Sequence, residues 1–238
     1  MSQKQTQWAI GVLGTLGVVA VIALHWMVFF WVPTESTMGI VQRIYYIHIP
    51  AWWIAFLAFG AVAVCSAVYL WLGDDRLDRA AVTAAEAGMI FTTIGLLTGP
   101  LWGRVAWGVW WEWEPRLTSA LLLWFIFLGY FLVRRSTVNP EQGKRFAAVI
   151  GIIGVLDIPF IHVSVTWFRS LHPEAVVLNP DGFAMNLDPS MGATLGVGLL
   201  AFSLVFAALF LAGYTVAGYE HKLDLREAAS AGARGAEA

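Results

Sequence analysis

The chain has 238 residues, of which 59% are hydrophobic and only 13% charged, with a formal net charge of −2 and a mean hydropathy of +0.70. Ordinary soluble domains carry about 25% charged residues and disordered chains lack this apolar content, so both classes are excluded in favour of a membrane protein. The charge shows no basic excess to hold a phosphate backbone, which argues against nucleic acid as a partner. Cys65 is the single cysteine, so an internal disulfide and a cysteine-built zinc or iron-sulfur site are excluded. Any metal falls to histidine or carboxylate.

Six apolar runs are long enough to cross about 30 Å of hydrocarbon at 1.5 Å per residue, and none alternates as a barrel strand does. The expectation is an all-α polytopic bundle. The first run, 8–32, is too long for a signal-peptide core and reads as a permanent helix; its His25 is expected to bond a neighbouring helix. A loop, 33–50, carries Arg43 and then His48-Ile49-Pro50, where the proline is read as marking the start of the second span, 51–72. The third span, 84–102, contains Glu86 near one boundary. A tryptophan-rich loop, 103–116, leads into the fourth span, 117–133. The fifth, 146–165, holds Asp157-Ile158-Pro159 at mid-span and His162 about one turn from its end. A carboxylate there is costly unless paired or wet, so Asp157 is expected either to bind a neighbouring helix or to line a polar path. Loop 166–190 carries His172, and the last span, 191–218, opens with Gly192 and Gly196 at a helix-packing spacing. The Ala/Gly-rich tail, 219–238, has too few large apolar residues to fold alone and is expected to be disordered.

Lysine and arginine set the orientation. Lys4, Arg76, Arg79, Arg134, Arg135, Lys144, Arg145, Lys222, Arg226 and Arg234 fall on one side, and Arg43, Arg104, Arg116 and Arg169 on the other. Both termini are therefore expected in the cytoplasm, with the three longer loops outside. Gly143-Lys144-Arg145 lacks the upstream glycine and the following Ser/Thr of a phosphate-binding loop, so no ATPase site is expected.

Of the thirteen tryptophans, Trp31, Trp52, Trp53, Trp102, Trp107, Trp110, Trp111, Trp113 and Trp167 fall at or beyond the outer boundary, while Trp8 and Trp71 mark the inner one. An aromatic belt accounts for Trp31, Trp52 and Trp53. The cluster from Trp102 to Trp113 exceeds what anchoring needs. If the loop is helical, Trp107, Trp110 and Trp111 share a face and make a shelf for a flat ligand. One histidine in each flanking loop, His48 and His172, would let two imidazoles approach a planar metal complex from opposite faces, as iron porphyrin is held. His162 is the reserve candidate, read as supporting or structural. Local pairing with the six acidic residues of the outer loops explains most of the outer arginines; Arg43 near His48 and Arg116 near the tryptophans are the candidates for the ligand's carboxylates.

The run Trp107-Gly108-Val109-Trp110-Trp111-Glu112-Trp113-Glu114-Pro115-Arg116-Leu117-Thr118 resembles the "WWD" signature of haem-handling proteins in cytochrome c biogenesis. Together with the six spans, Tyr46-Ile47-His48-Ile49-Pro50, Ile161-His162-Val163-Ser164-Val165 and Leu171-His172, it makes the chain most similar to the CcmC (haem exporter protein C) family, up to about residue 218. The resemblance implies a non-enzymatic subunit of the bacterial inner membrane that binds haem b at its periplasmic face. It implies presentation of haem to the chaperone CcmE, and association with CcmD and with the ATPase and permease subunits CcmA and CcmB. It places His48 and His172 at the family's haem-flanking histidines, and the tryptophan run, including Trp113, at its haem platform. The family usually has aspartate where this chain has Glu114, one methylene longer and followed by Pro115, which predicts that a platform helix ends near Trp113.

Two other classes compete. A b-type electron-transfer cytochrome also uses paired histidines, but usually on facing helices inside the bundle. A solute transporter would want discontinuous helices with paired polar sites near the midplane, of which Asp157 and Glu86 are the only traces.

Overall fold

The structure, a computed structural model, describes residues 2–168, 170–172 and 188–236. Seven α-helices follow in order: α1 (Gln3–Trp26), α2 (Tyr45–Leu72), α3 (Asp75–Ala106), α4 (Pro115–Ser136), α5 (Pro140–Val155), α6 (Asp157–Trp167) and α7 (Pro189–Ala236). A π-helical turn, Met27–Trp31, ends α1, and a 3₁₀ turn, Ile40–Ile44, leads into α2. Among the described residues there is no strand, only an isolated bridge between Glu35 and Gly39. Counting α5 with α6 as one crossing, six stretches among the described residues are long and apolar enough to span a membrane, as the apolar runs predict.

Local chemistry sets the ends of these helices. Gly73 takes the left-handed conformation (φ 68°) and its N–H returns to Tyr69 O at 2.8 Å, closing α2; Asp74 then caps α3 by accepting from Arg76 N. This tight turn pairs α2 with α3 along their length. Pro115 and Pro140 occupy first-turn positions, where a missing N–H costs nothing. Pro159 falls just past the junction of α5 and α6, and lacking an N–H it breaks the span there.

α3 lies at the centre, with half of its apolar window buried, whereas α1 and α7 pack on each other at the periphery with 17% buried. The main core joins α2 to α4, where the rings of Phe59 and Phe127 stack at 3.7 Å. At the end away from the tryptophan loop, Arg134 of α4 grips Asp78 of α3 through two bonds of 2.6 and 2.5 Å, and Lys144 of α5 meets Asp75 at 2.8 Å.

Four expectations about local structure are corrected. α2 starts at Tyr45, so His48 belongs to a helix and not to a loop. Proline keeps helical φ at Pro50, and its missing N–H merely frees the Tyr46 carbonyl; α7 closes on that spot so tightly that a Cβ on Gly198 would lie 3.1 Å from both Pro50 and Tyr46 O. The tryptophan loop is irregular and not a flat helix, because Gly108 takes φ 80° after α3 and Pro115 starts the next helix. His25 bonds its own helix, with a ring nitrogen 2.8 Å from Val21 O. Residues 219–236, expected to be disordered, instead continue α7, as their Glu, Lys, Leu, Arg and Ala content favours once a helix is running; Leu223 and Leu225 there are exposed.

Candidate functional site

α2, α3, α4, α6 and the tryptophan loop converge on a cleft of about 680 Å³ of atom-free space, its open mouth included. His48 reaches it from the first turn of α2 and is 5% exposed. Its Nδ1 lies 2.9 Å from Thr98 Oγ1 of α3, and its ring stands edge-on to Trp102 (5.7 Å) and Trp52 (6.3 Å). Trp52 follows one helical turn later and lies flush on α3 because Gly95 has no side chain; a Cβ there would be 2.6 Å from Trp52 Nε1.

His172 enters from the chain beyond α6. Its ring centre is 6.4 Å from that of His48, at 33° between planes, and 6.1 Å from that of Trp107. The approach is tethered: Leu171 N–H donates to Glu114 Oε2 at 3.0 Å, and His172 N–H to Ser170 Oγ at 3.0 Å. Glu114 is the residue before α4, so a motif carboxylate joins the tryptophan loop to the loop that carries the second histidine.

The tryptophans divide. Trp107 and Trp111 line the cleft, whereas Trp113 is 75% exposed and Trp110 58% exposed on an adjoining groove. The helix expected to align Trp107, Trp110 and Trp111 does not form, and the three line the adjoining groove together instead. Arg116 lines the cleft, while Arg43 sits over the Phe29 ring at 5.7 Å, outside the lining. His162 and Asp157 also lie outside it. His162 packs edge-on to Phe56, which does line the cleft, at 6.3 Å. Buried polar atoms without a partner among the described residues include Arg116 Nη1, Trp111 Nε1, Glu114 Oε1, Asp157 Oδ2 and His162 Nε2. Buried polar groups are rarely left so, and the first two are donors on the wall of the cleft. Arg169, one of the four arginines assigned outside, lies outside the described residues.

Sequence reasoning missed Thr98 and gave Trp52 to a lipid belt. A usable signal was present: Trp52 falls one turn after His48, and Trp102 one turn after Thr98, so each pair shares a helix face.

Fold and cleft together define a six-span α-helical membrane protein with a histidine- and tryptophan-lined site at one end of its bundle. The family model described as "Heme exporter protein C" matches residues 1–228. Relatives named "Heme exporter protein C" are 38% identical over 180 residues in Bradyrhizobium diazoefficiens (76% of this chain, 68% of the relative) and 32% identical over 194 residues in Escherichia coli K12 (81% and 77%). A "putative cytochrome c biosynthesis ccmC-like mitochondrial protein" of Marchantia polymorpha is 32% identical over 209 residues (88% and 83%). The chain belongs to the heme exporter protein C family.

Proposed function

We propose that this chain handles haem for cytochrome c biogenesis by holding haem b in the cleft, with His48 and His172 as axial ligands, and passing it on. The spacing of the two imidazoles carries the reading. Two histidines bound to one metal from opposite sides, with metal–nitrogen bonds of about 2.0–2.1 Å, have ring centres roughly 6 Å apart; these stand 6.4 Å apart. Two imidazoles supply two ligands, and a planar macrocycle supplies the rest. Trp107 and Trp111 offer it apolar faces, and the unpaired Arg116 Nη1 offers a donor for a carboxylate such as a propionate. His162 backs the wall through Phe56, and Asp157 is the other polar group of α6 assigned to support it.

Release is part of the job, and the ligands are unequal in a way that serves it. His48 is fixed in a helix and bonded to α3, whereas His172 depends on loop backbone held by Glu114. The lysine and arginine distribution supports a periplasmic site in the bacterial inner membrane with cytoplasmic termini, and the family resemblance supports delivery to CcmE in a complex with CcmA, CcmB and CcmD. In this reading the chain is no enzyme, and residues 1–218 form the haem-handling unit with 219–238 as an appended tail.

Oxidised and reduced absorption spectra of the purified protein test the ligand pair. A six-coordinate haem spectrum should collapse in His48→Ala/His172→Ala and persist in His162→Ala. Equal loss in both, or an unchanged double variant, overturns the assignment. A resident electron-transfer haem is favoured only by the helical position of His48; a haem that CcmE fails to remove would support it.

A further inference from the structure

The hydrogen count at Thr98 determines which nitrogen of His48 is free. Thr98 Oγ1 lies 2.8 Å from Ile94 O and 2.9 Å from His48 Nδ1. A hydroxyl has one hydrogen, and a carbonyl oxygen can only accept. At an O···O separation typical of a hydrogen bond, the hydroxyl hydrogen goes to the Ile94 carbonyl. Thr98 Oγ1 therefore presents lone pairs to the imidazole, and His48 must donate from Nδ1. A neutral imidazole protonated at Nδ1 carries its lone pair at Nε2, on a ring that lines the cleft.

We propose that Thr98 is a positioning residue for haem binding: through the chain Ile94 carbonyl, Thr98 hydroxyl, His48 Nδ1–H, it holds His48 in the tautomer whose Nε2 can ligate iron. This inference rests on His48 being an axial ligand. The bond orients the ring and, by drawing on the Nδ1 proton, makes Nε2 a stronger donor to the metal, as outer partners of metal-bound histidines do. It also explains why a polar group lies one turn before Trp102 on a helix that is otherwise apolar at this depth.

The test compares Thr98→Val, which keeps shape and removes the hydroxyl, with Thr98→Ser, which restores it, in the full-length protein purified in detergent and titrated with iron protoporphyrin IX. Thr98→Val should weaken haem binding roughly 10–100-fold, the usual effect of removing such a partner. It should also raise the reduction potential of the haem that remains bound, since a less electron-rich imidazole favours the ferric state less. Thr98→Ser should match the parent in both. If Thr98→Val does not accumulate in the membrane, Thr98→Ala tests the same bond. Parental affinity and potential in the hydroxyl-free variant overturn the proposal, as does a loss of binding that serine fails to restore. His48→Gly separates the two readings. If it leaves the spectrum unchanged, His48 is no ligand; if its spectrum collapses while Thr98→Val matches the parent, only the role of Thr98 fails.

Discussion

Removing the Glu114 carboxylate should loosen His172 without touching it. Glu114 Oε2 accepts the Leu171 N–H at 3.0 Å, and its other oxygen, Oε1, is buried without a partner among the described residues. A hydrogen bond to a charged group contributes about 1.5–3 kcal/mol, and each 1.4 kcal/mol is tenfold in affinity. If the tether serves to hold His172 at the haem, Glu114→Ala should weaken haem binding roughly 10–100-fold. Glu114→Gln keeps an acceptor oxygen at the same reach and should lose much less. Glu114→Asp withdraws the carboxylate by one carbon–carbon bond of about 1.5 Å, enough to break a 3.0 Å contact unless the loop follows. Haem titration followed by absorbance measures each step, and a double-mutant cycle with His172→Ala decides the route. In the His172→Ala background, Glu114→Ala should cost little more, leaving a coupling of about 1.5 kcal/mol or greater. Full additivity of the two changes would refute the tether.

Gly95→Ala places a Cβ 2.6 Å from Trp52 Nε1, so Trp52 must swing toward the cleft; stability should fall by about 1–3 kcal/mol and haem binding with it, read by thermal unfolding and titration. Asp78→Ala strands the Arg134 guanidinium in a site where Asp78 was 3% exposed, and should cost about 3–5 kcal/mol in detergent stability while the spectrum of bound haem stays unchanged. Glu35 accepts from Met38 N at 2.6 Å and Thr37 N at 2.9 Å, and these bonds hold its carboxyl below the ordinary 4.5. A depressed carboxyl favours the folded turn above its unfolded value and loses that contribution as pH falls through the folded value. The protection of the Met38 amide, its exchange rate relative to an unstructured amide at the same pH, should therefore weaken as pH falls through the folded Glu35 value in the parent and be low and less pH-dependent in Glu35→Ala.

Composition and residue order determine the class of the protein and much of its inventory. Six apolar runs admit only a helical bundle, because unpaired backbone cannot face lipid, and the described residues form six such crossings. The tryptophan-rich run and its flanking histidines stand out because their residue types are costly to place by chance, so His48, His172, Trp107, Trp111 and Arg116 could be named before any geometry was known. What the linear chain does not carry is the partner of each residue. Pro50 reads equally well as the first residue of a helix or as one a turn inside it, and only the packing of α7 at Gly198 against the freed Tyr46 carbonyl shows which applies. The helical shelf fails on a dihedral at Gly108, a residue free to take either sign of φ. Arg43 and Arg116 look alike in sequence, and the path of the chain puts one over Phe29 and the other in the cleft. Thr98 is separated from His48 by 50 residues and Glu114 from Leu171 by 57. Such pairings arise only when helices and loops close on one another, which is why the proposed ligands were legible in the sequence and the groups bonded to their segments were not.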